Sequence, residues 1–336
     1  MQYSIVIPVY KRNEIILRCL NSIACQTLKP YEIIIVDNNV DIYQSEKLNQ
    51  ILNDFNEEYS FRLRILKNLK NSGAIARNLG AQSAKTKYVA FLDSDVVLDK
   101  NYYSILFKYF IQNKELIAVQ GLDHSLVEFH EKLSNFNFLK KIFYFLEQFF
   151  ETSLLFNKKK AYVSPSLAVA HPNVLSEFEV FSQWISTCAG LFKKELFDKY
   201  SFPNQFITYS NNEYLYFSYN LFRENEGKMI YTSKAKYRDI QTKSGRIDMI
   251  DLMYQIQVYD LYIFIKLFKI NLKNISIFIK SRIGHLIINI IKLIYKKDLN
   301  LSKYFHVIFS IVYPIFNLKS ILNDDLSFYE RNFPIN

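Results

Sequence analysis

Two aspartates one residue apart, Asp93 and Asp95, close a short apolar run, Phe91-Leu92-Asp93-Ser94-Asp95. At the end of a buried strand, carboxylates in this spacing reach a single hard cation through oxygen. Such a cation bridges a diphosphate and neutralises its charge as a leaving group. The spacing also serves in solvated turns that cap a following helix, so the apolar run before it carries the reading. A second cluster, Asn71-Ser72-Gly73-Ala74-Ile75-Ala76-Arg77-Asn78-Leu79-Gly80, turns at Gly73 into a helix with Arg77 near its start. Backbone N–H groups there favour anions, and a guanidinium adds a planar, permanently charged fork. A surface arginine on a closely packed helix of small residues fits the same letters equally well. The third cluster sets Pro8-Val9-Tyr10 beside Asp37-Asn38. Tyr10 suits the flank of a nucleobase, and Asp37 or Asn38 can accept its imide N–H, although an Asp-Asn-Asn turn is ordinary by itself.

These residues need elements to hold them together. Residues 4–9 (SIVIPV), 31–36 (YEIIIV), 61–67 and 88–92 (YVAFL) read as strands, and 14–26, 45–59 and 75–84 as helices. Continuous apolar strands alternating with amphipathic helices imply an α/β fold with a mainly parallel sheet covered on both faces. Ligands bind such sheets outside the carboxyl ends of strands, where both acidic clusters fall. Residues 102–160 are helix-biased and rich in Phe and Tyr, and 161–184 read as loop and short strand. Residues 187–192 continue that pattern, helices are expected near 193–200 and 212–224, and long Ile/Leu/Phe/Lys helices follow Ile230.

Taken together, SIVIPVYKR, the strand–helix–strand to IIIVDNN, NSGAIARNLG and YVAFLDSD resemble the family 2 glycosyltransferases, inverting nucleotide-sugar enzymes of the GT-A fold. The likeness is close over about residues 3–100, and Ser186-Thr187-Cys188-Ala189-Gly190-Leu191-Phe192-Lys193-Lys194 is similar to the family's segment near the acceptor. The resemblance implies nucleotide contacts from Pro8, Tyr10, Asp37, Asn38 and Arg77. It places Asp93 near the ribose and donor, makes Asp95 the principal ligand of Mn²⁺ or Mg²⁺ with Asp93 beside it, and puts Thr187 and Gly190 in the acceptor region. Two departures matter. Asn38 stands where the family often has a second acid, leaving uracil and thymine donors (UDP or dTDP) both open. In Asn211-Asn212-Glu213-Tyr214-Leu215-Tyr216, only Glu213 can act as an acid–base group where the family often has Glu-Asp. Glu213 is therefore the expected general base, although an acid in the first turn of a helix is also favourable in itself. Trp184, the only tryptophan, suits sugar stacking or simple packing. His124 and His171 lack ligand spacing and read as structural, and the aromatic stretch 136–150 reads as core or partner surface.

The chain has 336 residues, half of them hydrophobic, with 42 Lys+Arg against 32 Asp+Glu. This composition excludes a disordered chain, a collagen-like chain and a disulfide scaffold. The charge is uneven: residues 1–230 carry a net +2, residues 231–336 a net +8, and residues 261–320 hold ten basic residues against Asp298 alone. The expected division is a GT-A catalytic domain over 1–232 and a basic, apolar helical segment over 233–336. Lys266, Lys269, Lys273 and Lys280 share one face if that segment is a single helix, and the apolar remainder suits an anionic membrane surface. Nucleic acid is not an expected partner, since no reader motif is present. A packed helical mini-domain is the alternative. No signal peptide and no spanning run of ~20 apolar residues is visible, and Cys19, Cys25 and Cys188 lack ligand spacing. The expectation is a cytoplasmic protein, peripheral on the inner face of the cytoplasmic membrane.

The expected function is metal-dependent transfer of a hexosyl or related sugar to a glycan or polyprenyl-linked acceptor, in bacterial surface polysaccharide assembly. A sugar nucleotidylyltransferase would want a Gly-rich phosphate loop after the first strand, and residues 8–13 contain no glycine. A non-catalytic membrane- or glycan-binding scaffold with relic motifs is the other alternative.

Overall fold

The computed structural model describes residues 1–133, 135, 136, 138–147, 149, 150, 161–208, 212–240, 242, 244, 245, 247–295 and 300–332. Residues 151–160 of the helix-biased stretch, Asn211 and Asp298 lie outside them. The α/β reading is correct. The chain runs β1 (Tyr3–Val9), α1 (Ile16–Ala24), β2 (Glu32–Asp37), α2 (Ile42–Tyr59), β3 (Leu63–Lys67), α3 (Gly73–Ser83) and β4 (Tyr88–Phe91). It continues with β5 (Val96–Leu98), α4 (Tyr102–Gln112), β6 (Ala118–Asp123), α5 (His124–Leu133), α6 (Phe138–Glu147), β7 (Glu179–Phe181) and β8 (Leu191–Lys193). A 3₁₀ turn (Lys194–Asp198), α7 (Glu213–Glu224) and β9 (Met229–Asp239) complete the sheet region. The helices α8 (Met249–Leu267), α9 (Leu272–Tyr295), α10 (Leu301–Phe316), α11 (Leu318–Leu322) and α12 (Ser327–Asn332) follow.

The strands form one sheet in the order β3-β2-β1-β4-β8-β6-β9-β5, with β7 against β9. β1, β2, β3 and β4 are parallel, whereas β8 is antiparallel to both β4 and β6. β1 and β2 are almost wholly buried, as their unbroken apolar sequences require of strands covered on both faces. Pro8 cannot donate to a ladder. It is tolerated because the β1–β4 pairing ends at Val6, so Pro8 pairs only with β2. Helix α3 begins at Ser72, whose hydroxyl accepts from the Ile75 N–H, and it lies tight on β1. A Cβ on Gly80 would come within 2.2 Å of Val6 Cγ1. That close approach sets Arg77, one turn earlier, above the carboxyl ends of β1 and β4.

Two findings differ from the sequence reading. The expected boundary at 232/233 falls inside β9, whose last residues pair with β5, so the sheet extends to Asp239. The lysine stripe does not lie on one helix, because α8 ends at Leu267 and α9 begins at Leu272. Lys266 instead pairs with Asp324 at 2.6 Å. α8 also packs into the same core as the sheet and α7, with Tyr259 stacked on Phe206 at 4.1 Å between ring centroids. Among the described residues no helix is long and apolar enough to cross a membrane.

Candidate active site

A cavity of about 300 Å³ opens outside the carboxyl ends of β1, β2 and β4. β1 runs directly into Tyr10 and Arg12, and β2 into Asn38. The turn after β4 supplies Asp93, Ser94 and Asp95, α3 supplies Gly73 and Arg77, and the entry to α7 supplies Asn212, Glu213 and Tyr214. Of the residues expected from sequence, Pro8, Tyr10, Asn38, Arg77, Asp93, Asp95, Thr187 and Glu213 all line it. A larger depression of about 980 Å³ along α1, β5 and α5 shares only Asp239 with this cavity. It contains neither the paired aspartates nor Arg77, so the smaller cavity is the candidate active site.

Three expected residues lie elsewhere. The Asp37 carboxylate is held by Lys67 at 2.8 Å and by the Asn39 backbone and side chain. Burial alone would raise its pKa, but these contacts outweigh it and lower the pKa below the ordinary carboxylate value. Asp37 thus braces the turn that presents Asn38. Trp184 is buried, its indole N–H donating to the Ala170 carbonyl at 3.3 Å and its ring lying against His171 and Tyr231. Gly190 is a packing position, since a Cβ there would approach the Ser186 carbonyl to 2.5 Å.

Inside the cavity two arginines pair with three carboxylates. Arg77 bonds Glu213 through Nη1 and Asp93 through Nη2, the latter at 2.6 Å. Burial works against its charge, yet Glu213 and Asp93 raise its pKa above the ordinary guanidinium value. Arg12 bonds Asp95 at 2.6 Å. Arg12 was not singled out from sequence, because only the fold brings the turn after β1 to the turn after β4. Asp239 and Gly245 were missed for the same reason; Gly245 has φ +74° and stands where a Cβ would strike the Tyr10 carbonyl. Cys188 also lines the cavity, but burial and then Asp93 push its thiol pKa well up, which keeps it neutral and poorly nucleophilic.

Two arginines face four carboxylates in the cavity wall, Asp93, Asp95, Glu213 and Asp239, leaving a formal charge of −2. The Ser94 hydroxyl, buried between the two aspartates, has no hydrogen-bond partner among the described residues. This oxygen-rich, net-negative wall fits a hard divalent cation. Among the described residues no cluster of three or more ligating side chains forms an all-protein cage. Ions such as Mg²⁺ commonly take only one or two carboxylates and complete their shell with water and substrate phosphates.

Comparison with known proteins decides the family, because the Glycosyl transferase family 2 model matches residues 4–176. The chain belongs to glycosyl transferase family 2. The matched stretch takes in β1 through β6 and so includes Arg12, Arg77, Asp93 and Asp95. This family 2 member is 23% identical over 261 residues to glycosyltransferase GlyA of Streptococcus pneumoniae, covering 74% of the present chain. The alignment spans only 34% of GlyA. In fold it resembles S. aureus TarS 1–349 in complex with UDP-GlcNAc, with TM-score 0.51 at 14% identity, covering 98% of this chain and 89% of TarS 1–349. It also resembles GalNAc-T7 with UDP, GalNAc and Mn²⁺, with TM-score 0.52 at 13% identity, covering 78% of this chain and 50% of that one. The GT-A fold with C-terminal helices follows from these likenesses.

Proposed function

We propose that this family 2 glycosyltransferase moves a sugar from a nucleoside-diphosphate donor to a hydroxyl of a glycan or lipid-linked acceptor, inverting the anomeric carbon. One observation carries the reading: Tyr10 and Asn38, Asp93 and Asp95, and Glu213 meet in a single cavity at the strand ends. The UDP-GlcNAc bound by TarS favours a UDP-type donor. In the proposed reaction Tyr10 and Asn38 take the base, and Arg77 turns from its carboxylate partners toward the diphosphate. Glu213, released by that turn, accepts the acceptor's proton as that oxygen bonds to the anomeric carbon and the bond to diphosphate breaks. A general base of this kind contributes about 10²–10⁴ in rate. Asp95 with Asp93 would hold Mn²⁺ or Mg²⁺, which supplies Lewis-acid stabilisation of the departing diphosphate.

The test is a melting screen of UDP- and dTDP-sugars with and without Mn²⁺, followed by transfer assays. Donor at about 100 times its dissociation constant adds ~2.7 kcal/mol to stability. Glu213→Gln is expected to keep donor binding and lose transfer, and Asp95→Ala to lose the Mn²⁺-dependent part of binding. Near wild-type transfer by both variants would overturn the reading in favour of another site. Complete absence of nucleotide binding would favour a scaffold.

The same proposal includes a role in surface polysaccharide assembly at an anionic membrane. Leu272, Leu301, Phe305 and Phe316 of α9 and α10 are more than half exposed, beside Lys273 and Lys303. Apolar side chains flanked by lysines suit the headgroup boundary. Sedimentation with phosphatidylglycerol vesicles but not phosphatidylcholine vesicles, weakened by salt, is the expected result; equal recovery with both would count against it.

A further inference from the structure

The C-terminal helices reach the cavity through a chain of buried polar contacts. Arg282 of α9 donates from Nη1 to Asp260 Oδ2 of α8 at 2.6 Å, and both side chains are buried. The other oxygen of that carboxylate, Oδ1, accepts from the Asn212 amide at 2.9 Å. Asn212 lines the cavity immediately before Glu213 and holds the left-handed backbone, φ +64°. An asparagine before a helix ordinarily caps it with its own side chain. Here the side chain makes no cap bond to α7 and reaches Asp260 instead. Asparagine visits this conformation more readily than other non-glycine residues, and here its amide contact with Asp260 holds it there.

The carboxylate that Asn212 reaches is itself fixed. Arg282 also reaches Gln257, Ser281 and the Ser166 carbonyl, at 3.3, 3.0 and 3.4 Å. α8 holds the chain just before Asn212 in the same manner. Gln255 donates to the Thr208 hydroxyl at 2.6 Å, and the Tyr259 hydroxyl accepts from the Ile207 N–H at 2.9 Å. The Asn212 carbonyl then accepts from the N–H groups of Leu215 and Tyr216, at 3.0 and 3.1 Å, which starts α7 and aims Glu213. A buried ion pair stabilises a fold little better than apolar residues of the same volume, so stability alone does not account for it.

We propose that Asp260 and Arg282 are positioning residues that set Glu213 through Asn212, so that the C-terminal helices complete the active site. The inference rests on Glu213 acting as the base. Displacing a catalytic group by ~1 Å costs about 10²-fold in rate.

The test compares three proteins with wild type. Asn212→Gly deletes the amide while leaving the left-handed backbone accessible. Asp260→Leu combined with Arg282→Met removes both charges and orphans neither. Glu213→Gln is the reference. Each is assayed for turnover of a set of UDP- and dTDP-sugars with Mn²⁺, and for UDP binding by calorimetry. The first two are expected to lower kcat about 10²-fold while UDP affinity stays within about twofold and one nucleotide binds per chain; a merely structural defect would instead lower the binding stoichiometry. If Glu213→Gln loses turnover and a folded Asn212→Gly or double variant does not, the positioning role fails and the base survives. If Glu213→Gln itself retains turnover, the base assignment fails. Hydrogen exchange needs no substrate: the Leu215 and Tyr216 amides should exchange at least ~10-fold faster in both variants, as local opening rises, with β1 unchanged. Unaltered exchange there overturns the proposal, and Asn212→Gly keeps the test decisive if the double variant does not fold.

Discussion

Replacing Arg77 with methionine keeps most of the aliphatic volume and removes one charge that two carboxylates share. Arg77 is 9% exposed and Glu213 6% exposed, whereas Asp93 is 25% exposed. Water can therefore take over much of the solvation of Asp93 but little of that of Glu213. Breaking a buried ion pair costs about 3–5 kcal/mol, and the partial exposure of Asp93 puts the expected loss near ~3 kcal/mol at neutral pH. The pH dependence follows from the same geometry. A buried carboxylate that has lost its guanidinium is costly mainly while it is charged, so acid that protonates Glu213 should relieve the loss. The variant's stability relative to wild type then falls as pH rises. The deficit against wild type should be small near pH 4 and largest at pH 7.5. Urea unfolding followed by circular dichroism at pH 4, 5.5 and 7.5 measures it. A deficit below ~1 kcal/mol at pH 7.5, or one that stays constant down to pH 4, would refute the claim that Arg77 neutralises a desolvated carboxylate.

Three further outcomes are expected. Burial lowers the pKa of His171 to about 4, so it folds neutral, and stability should decline as pH falls from about 6.5 toward 4. The full effect is at most ~3 kcal/mol, and His171→Gln should flatten that limb of the urea profile. Gly80→Ala gains about 1 kcal/mol of helix propensity, but a methyl at 2.2 Å from Val6 in a closed core costs roughly 1–3 kcal/mol. A lower melting temperature is therefore expected, and a higher one would mean α3 can lift from β1. Lys67→Met should destabilise the protein at pH 7, with the difference shrinking as acid protonates Asp37 and its lowered pKa ceases to matter. A difference independent of pH would show that Lys67 acts through packing alone.

Much of the donor-side half of the fold was legible because its strands are buried on both faces and so read as unbroken apolar runs. β6 was not, since its six residues AVQGLD carry Gln120 and Gly121 in the middle. Gly121 is demanded by the partner strand: a Cβ would come within 2.4 Å of the Ala235 carbonyl. β9 was hidden among lysines, although Met229–Asp239 alternates buried and exposed positions toward its end as a strand partly facing solvent should. Within the cavity, residues following a strand end were readable from local pattern, as with Asp93, Asp95 and Asn38. Arg12, Asp239 and Asn212 were not, because their roles depend on partners far along the chain. Asp37 shows the opposite failure, an acid in the right place whose charge is taken by Lys67 on the neighbouring strand.

The ion pair between Arg77 and Glu213 joins residues 136 positions apart. Chains are synthesised from the N-terminus, and domains begin to fold as they emerge. A growing chain thus has Tyr10, Asn38, Asp93 and Asp95 well before it has Glu213, and has α8 and α9 later still. Asp93 and Asp95 can be arranged early, but Glu213, the base proposed above, cannot be seated until α8 and α9 have been made. With Glu213 as the proposed base, the means of activating an acceptor or water is assembled after the donor-side carboxylates, so a chain that stops short of α9 has no seated base with which to spend donor.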